Sequence, residues 1–103
     1  MEIKHMLKDG NMAVAIDGEI NTLTAPELRD FLDLHISEVK NIIFDFKNVE
    51  YISSAGLRIL LKTQLDLRKK SGKLMLKNLS PAIAEVFRLS GFDKTMDVEV
   101  QNE

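Results

Sequence analysis

The stretch Ile42-Ile43-Phe44-Asp45-Phe46 constrains this chain more than any other part of it: a short, almost unbroken apolar run between two segments of helical period. A run that short and continuous is the pattern of a central strand buried on both faces. Before it, Leu28, Phe31, Leu32, His35 and Val39 recur at three- and four-residue steps; after it, Leu57, Leu60, Leu61, Gln64 and Leu65 do the same, with Gln64 the polar exception. With strands on the far sides of these helices as well, each run of strand, helix and next strand joined by short loops predicts a right-handed parallel crossover and therefore an α/β fold.

The flanking segments extend that plan. Ile3, His5 and Leu7 alternate with Lys4, Met6 and Lys8, and Asp9-Gly10-Asn11 supplies a turn. Met12, Val14 and Ile16 then face one way and Ala13 and Ala15 the other, which predicts a second hairpin strand covered on both sides. Thr24 is placed to cap the first helix, with Pro26 in its first turn and Glu27 at capping-box spacing. A loop from Lys47 to Ile52 leads to Ser53-Ser54, and the second helix runs to about Lys70 before Ser71-Gly72 ends it. Leu74-Met75-Leu76 form a strand. Ser80-Pro81 opens a third helix with Ile83, Val86, Phe87 and Leu89 inward, Ser90-Gly91 stops it, and Thr95 to Val100 makes an edge strand. The expected order is β-β-α-β-α-β-α-β: a mixed sheet, antiparallel at its first hairpin, with helices packed on it. No linker, repeat or low-complexity stretch divides the 103 residues, so one domain, 1–103, is expected.

Much chemistry is excluded by what is missing. The chain has no cysteine, which removes thiol nucleophiles, disulfides and cysteine metal sites. His5 and His35 lie on different elements without a metal-ligand spacing and read as structural or surface residues, so no metal is expected. Neither a phosphate-binding loop nor a dinucleotide fingerprint occurs, so no cofactor is expected. Glu27, Asp30 and Asp33 read as a solvated helix face. Arg58, Lys62, Arg68, Lys69 and Lys70 make the second helix basic, but the last three sit where cations meet the negative end of the helix dipole, and no aromatic residue is interleaved for base stacking. With a net charge of −2 as well, nucleic acid is not an expected partner. The longest apolar run, Met12 to Ile16, is far below the roughly 18 residues of a spanning helix. Membrane insertion is not expected, and a cytoplasmic location is.

The informative segment is Tyr51-Ile52-Ser53-Ser54-Ala55-Gly56-Leu57, which joins the buried strand to a helix start. One serine can serve as N-cap, an interaction on the order of 1 kcal/mol. The second serine is then left over. Gly56 in the first turn costs roughly 1 kcal/mol relative to Ala and offers bare backbone for close approach by a phosphate or a partner. Phosphorylation of Ser54 would place about −1.5 to −2 charges at the positive end of the helix. A nucleophilic serine is disfavoured, since neither histidine can be placed beside it as a base.

These residues resemble the STAS domain family, the single-domain anti-sigma factor antagonists of bacteria. Gly18-Glu19-Ile20-Asn21 with Thr24-Ala25 is similar to the family's Gly-Glu-Leu/Ile-Asp segment and the Thr-Ala that follows it. Ile42 to Phe46 is similar to the family's central strand, Tyr51 to Leu57 to its switch loop, and Ser80-Pro81 to Phe87 with Ser90-Gly91-Phe92 to its late helix and final turn. The resemblance implies a binding module, not an enzyme, that when unphosphorylated binds an anti-sigma factor serine kinase and so frees a sigma factor. The kinase then phosphorylates the module, and a PP2C-type phosphatase resets it. By position the acceptor is Ser54, with Ser53 the alternative. The implied contact surface comprises Glu19, Asn21, Thr22, Ser53, Ser54, Ala55, Gly56 and Arg58. Ser53 and Asn21 stand where the family pattern has aspartates. The competing expectation is a constitutive STAS-type adaptor in another signalling or lipid-transport assembly, never phosphorylated.

Overall fold

The computed structural model describes residues 1–101. The chain opens as a hairpin of β1 (Glu2–Lys8) and β2 (Asn11–Ile20), paired antiparallel from Lys8↔Asn11 to Glu2↔Asp17. Asp9 and Gly10 both take positive φ, 52° and 80°, the backbone that a two-residue hairpin turn demands. Then follow α1 (Ala25–His35), a 3-10 turn at Ile36–Glu38, β3 (Asn41–Ile52), α2 (Ser54–Arg68), β4 (Leu74–Leu79), α3 (Pro81–Ser90), a second 3-10 turn at Phe92–Lys94, and β5 (Asp97–Val100). The order of elements is the expected one. The five strands lie in the sheet in sequence order, β1-β2-β3-β4-β5, with β2 to β5 parallel.

That strand order decides which faces are buried. Right-handed crossovers that always step in the same direction put every helix on the same side of the sheet. Accordingly Met12, Val14, Ile16, Ile42, Phe44, Phe46, Leu74 and Leu76 are buried with Leu28 and Leu32 of α1, Leu57, Leu60 and Leu67 of α2, and Ile83 and Phe87 of α3 in one core. Phe44 and Phe46 meet edge to face at 6.1 Å between ring centroids. The opposite face is open among the described residues: Ala13 and Ala15 are exposed and Ile43 is 41% exposed. The expectation that β2 and β3 are covered on both sides is therefore corrected. Their second apolar sets are small or isolated residues on an uncovered face, and apolar periodicity alone cannot report how many layers a fold has.

Asp45 lies on that open face. Burial alone would raise its carboxyl; hydrogen bonds from Asn78 Nδ2 and the Lys47 N–H, each 3.0 Å, with Lys77 nearby, outweigh it and hold the carboxyl below its ordinary range.

Other boundaries differ from the sequence reading in informative ways. The segment Lys47 to Ile52 is not a loop but the second half of β3, paired with Asp17 to Ile20 across two register shifts. Those irregularities, at the polar residues Lys47, Asn48 and Glu50, broke the apolar pattern that would have shown the strand. On α2, Leu65 is outward and Leu61 only half-buried, whereas Thr63, Gln64 and Leu67 are buried. Thr63 satisfies its hydroxyl on the Ile59 carbonyl at 2.8 Å, which explains how a polar residue takes an inward position. Leu89 of α3 is likewise exposed. Ser80 caps α3 by accepting from the Ile83 N–H at 3.3 Å, and Gly91 closes it in the left-handed region at φ 79°.

Candidate partner-binding site

The site forms where β2 and β3 end side by side. Ile20 pairs with Ile52, and the Ser53 N–H donates to the Ile20 carbonyl at 2.8 Å, so the two chains leave the sheet from one point. After Ile20 the backbone turns on Asn21, whose Oδ1 accepts from the N–H groups of Leu23 (2.9 Å) and Thr24 (3.0 Å). Thr24 Oγ1 accepts from the Asn21 N–H and donates to the Glu19 carbonyl, both at 2.8 Å. The predicted capping box between Thr24 and Glu27 is thus not formed. Thr24 is turned back to close the Glu19–Thr24 loop, and Asn21 does the local capping.

After Ile52 the roles of the two serines separate. Ser53 is the N-cap of α2: its backbone is extended and its Oγ accepts from the Gly56 N–H at 3.2 Å. Ser54 is the first helical residue, exposed, and its hydroxyl makes no hydrogen bond among the described residues. Gly56 does not offer bare backbone to a partner, as the sequence suggested. It is buried, and a Cβ there would lie 2.7 Å from Ile20 Cγ2 and 2.9 Å from Ile52 Cγ1. Its lack of a side chain lets the first turn of α2 settle onto the ends of β2 and β3, which is what leaves Ser54 at the surface.

Of the sequence-nominated residues, Glu19, Asn21, Thr22, Ser53, Ser54, Ala55 and Arg58 are thus brought to one edge of the sheet, and Gly56 lies beneath them. Thr22, Ala55 and Arg58 also line a groove of about 300 Å³ between α1 and α2. This edge is the carboxyl end of the parallel strands. Two further residues stand out in it, one within the Glu19–Thr24 loop and one within the Tyr51–Leu57 segment expected from sequence to form the surface, though the sequence singles out neither. Leu23 is 87% exposed and Tyr51, opposite Glu19, is 49% exposed. Leucine between two threonines in a loop was the available signal, because a large apolar side chain there has no core to enter.

The histidines take a structural role that their spacing in sequence did not reveal. Although distant in sequence and on separate elements, His5 and His35 meet at 4.7 Å between ring centroids, and Phe31 joins both at 5.1 and 4.8 Å. His5 projects to the helix side of β1, opposite Val14, and so lands on α1. The nearest carboxylate oxygen to His35 Nδ1 is Glu38 Oε2, 3.9 Å away. Among the described residues, no group of three or more His, Cys, Asp or Glu side chains is arranged to hold a metal ion. The cluster packs the edge strand against α1.

With this geometry in hand, the comparisons with known proteins are specific. Residues 3–102 match the STAS domain. The Bordetella bronchiseptica protein BtrV, provisionally assigned as an anti-sigma factor antagonist, is 35% identical over 85 residues, covering 82% of this chain and 73% of that protein. The anti-sigma-B factor antagonist of Bacillus subtilis is 30% identical over 95 residues, covering 92% and 87%. The antagonist SpoIIAA shares the fold in its unphosphorylated form (TM-score 0.78, 19% identity, 99% of this chain and 90% of that one). It does so in its phosphorylated form as well (TM-score 0.75, 23% identity, 94% and 90%). The chain belongs to the STAS domain family. The curated relatives are named for a binding role, as anti-sigma factor antagonists, and not for a reaction. Among the described residues no helix is long and apolar enough to cross a membrane.

Proposed function

We propose that this chain is an anti-sigma factor antagonist switched by phosphorylation of Ser54. Unmodified, it binds an anti-sigma factor that is also a serine kinase and thereby releases a sigma factor; phosphorylation ends the complex, and a PP2C-type phosphatase restores it. The antagonist relatives support the general role. The observation that carries the switch is the division of labour between the serines. Ser53 Oγ is engaged by the Gly56 N–H, whereas the Ser54 hydroxyl is exposed and free among the described residues. An acceptor must reach a kinase active site without unravelling its own helix, and Ser54 meets both conditions. As the first residue of α2, a phosphate there also meets the positive end of the helix dipole, so the modified domain keeps its fold while its surface changes. Glu19, Asn21, Thr22, Ala55 and Arg58, with Leu23 and Tyr51, supply the contact surface around it.

The test is affinity capture from the native cell with phosphosite mapping, followed by binding measurements on the recovered partner. Ser54→Asp is expected to weaken binding by about 1–3 kcal/mol, roughly 5- to 150-fold, through like-charge repulsion and desolvation. Equal binding by Ser54→Asp and the unmodified protein would end the switch reading. Repeated recovery of a non-kinase partner with Ser53 and Ser54 unmodified would favour a constitutive adaptor.

A further inference from the structure

The groove between α1 and α2 starts beside the switch and has two unlike ends. Both helices follow a strand of the parallel ladder and run back across the same face, so their N-termini lie side by side. Its floor is apolar, built by Pro26 and Leu32 from α1 and Ala55 and Ile59 from α2. At the far end its charges are satisfied internally: Lys62 Nζ lies 3.0 Å from Asp66 Oδ2, and Asp33 also acts on the same ammonium. The end nearer Ser54 is different. There Arg29 of α1 and Arg58 of α2 line the groove, and Arg58 has no ion pair among the described residues. Arg29 touches only its exposed neighbour Asp30, at 3.3 Å, a pair of the kind that contributes little. The capping groups on this edge, the Asn21 amide and the Ser53 hydroxyl, are both uncharged.

An apolar slot with one unpaired guanidinium, Arg58, and one weakly paired one, Arg29, at its mouth is complementary to an apolar side chain flanked by carboxylates. We propose that this groove docks an acidic, amphipathic segment of the partner, with an apolar side chain between Pro26, Ala55 and Ile59 and a carboxylate on Arg58 and Arg29. The proposal rests on the partner-binding reading above and adds the chemistry of the partner's surface. It also links the groove to the switch. Ser54 and Arg58 are four residues apart on α2 and therefore share a helix face. A phosphate on Ser54 competes for the Arg58 guanidinium and repels the incoming carboxylate, so one modification closes the mouth of the groove.

Two measurements on the full chain decide it. The isotope-labelled protein is titrated, by NMR, with a short synthetic amphipathic helix bearing leucines on one face and glutamates beside them, and with its lysine counterpart. The glutamate peptide is expected to shift the amides of Ala55, Arg58 and Ile59 and to lose about tenfold or more in affinity on Arg58→Glu, which changes an exposed side chain and leaves the spectrum dispersed. Binding by the lysine peptide at equal or higher affinity, shifts confined to the open face around Ala13 and Ile43, or indifference to Arg58→Glu would each overturn the proposal. Binding of the captured kinase to Ser54→Asp and Arg58→Glu separates the two readings. Loss with Ser54→Asp alone leaves the switch and removes the groove; loss with Arg58→Glu in a protein never phosphorylated leaves the groove and removes the switch.

Discussion

The two ends of the parallel strands are built on opposite principles. At the amino end, backbone is pressed on backbone. The Lys40 and Asn41 N–H groups both donate to the Gly10 carbonyl, at 2.7 and 3.2 Å. Asn41 bridges further, giving its Nδ2 to Asn11 Oδ1 and accepting the Lys73 N–H at Oδ1, both at 2.9 Å. At the carboxyl end side chains do the tying, Asn21 and Thr24 closing a loop and Ser53 capping α2, while others beside them stay available: Ser54 and Arg58 have no partner among the described residues, and Leu23 and Tyr51 face solvent. A small domain has little stability to spare. Fixing the loop and the helix start through Asn21, Thr24 and Ser53 is what lets Ser54 and Arg58 stay unsatisfied beside them.

Each end contains a glycine that no other residue replaces freely, and the two measure the contrast. A Cβ on Gly72 would stand 1.7 Å from the Lys40 carbonyl oxygen, 2.8 Å from its carbon and 3.1 Å from the Leu67 oxygen, all backbone. Nothing there can swing aside. Gly72→Ala is expected to cost more than about 3 kcal/mol, read as a fall in the denaturant midpoint, because the α2–β4 and α1–β3 connections must separate. A loss below about 1 kcal/mol, typical of a surface substitution, would show that the amino end is not the rigid one.

Gly56→Ala probes the other end. The atoms it would strike, Ile20 Cγ2 and Ile52 Cγ1, belong to side chains that have rotamers to offer, and Ala regains helix propensity of about 1 kcal/mol. The expected cost is about 1–3 kcal/mol, smaller than at Gly72, with a lifted α2 start and weaker partner binding. Equal costs at the two glycines would break the distinction between the ends; a cost at Gly56 with partner affinity unchanged would remove the start of α2 from the contact surface.

How much of this was legible from the chain depends on how local the cause is. The order of elements, the Asp9-Gly10 turn, the Ser80 cap and the Gly91 stop follow from neighbouring residues, and all are present. One local expectation gave way to near neighbours, the Thr24–Glu27 capping box to Asn21 and the Glu19 carbonyl; the larger differences were set by residues far apart. The open face follows from the strand order, and the second half of β3 is held by pairing with Asp17 to Ile20 despite its polar residues. The meeting of His5 with His35 requires the register of β1 on β2. The site divides in the same way. Its position at the end of β3 could be read from Tyr51 to Leu57, but which serine caps and which is free depends on the backbone at residue 53, and the burial of Gly56 depends on Ile20.

The finest test of the comparison lies between adjacent hydroxyls. Ser53→Ala removes the acceptor of the Gly56 N–H, a donor that α2 cannot satisfy internally, and is expected to cost about 1 kcal/mol. Ser54→Ala removes a hydroxyl with no partner among the described residues and places a better helix former at the first helical position, so stability should change by less than about 0.5 kcal/mol. Thermal or denaturant unfolding of the two variants, measured side by side, gives the difference directly. If Ser54→Ala is the more costly, the hydroxyl assigned to the switch is instead holding the helix, and a phosphate there would disturb the fold before it disturbed a partner. If Ser53→Ala is the more costly, the serine nearest the sheet belongs to the rigid construction of the molecule, and the boundary between its structural and its available surface falls between residues 53 and 54.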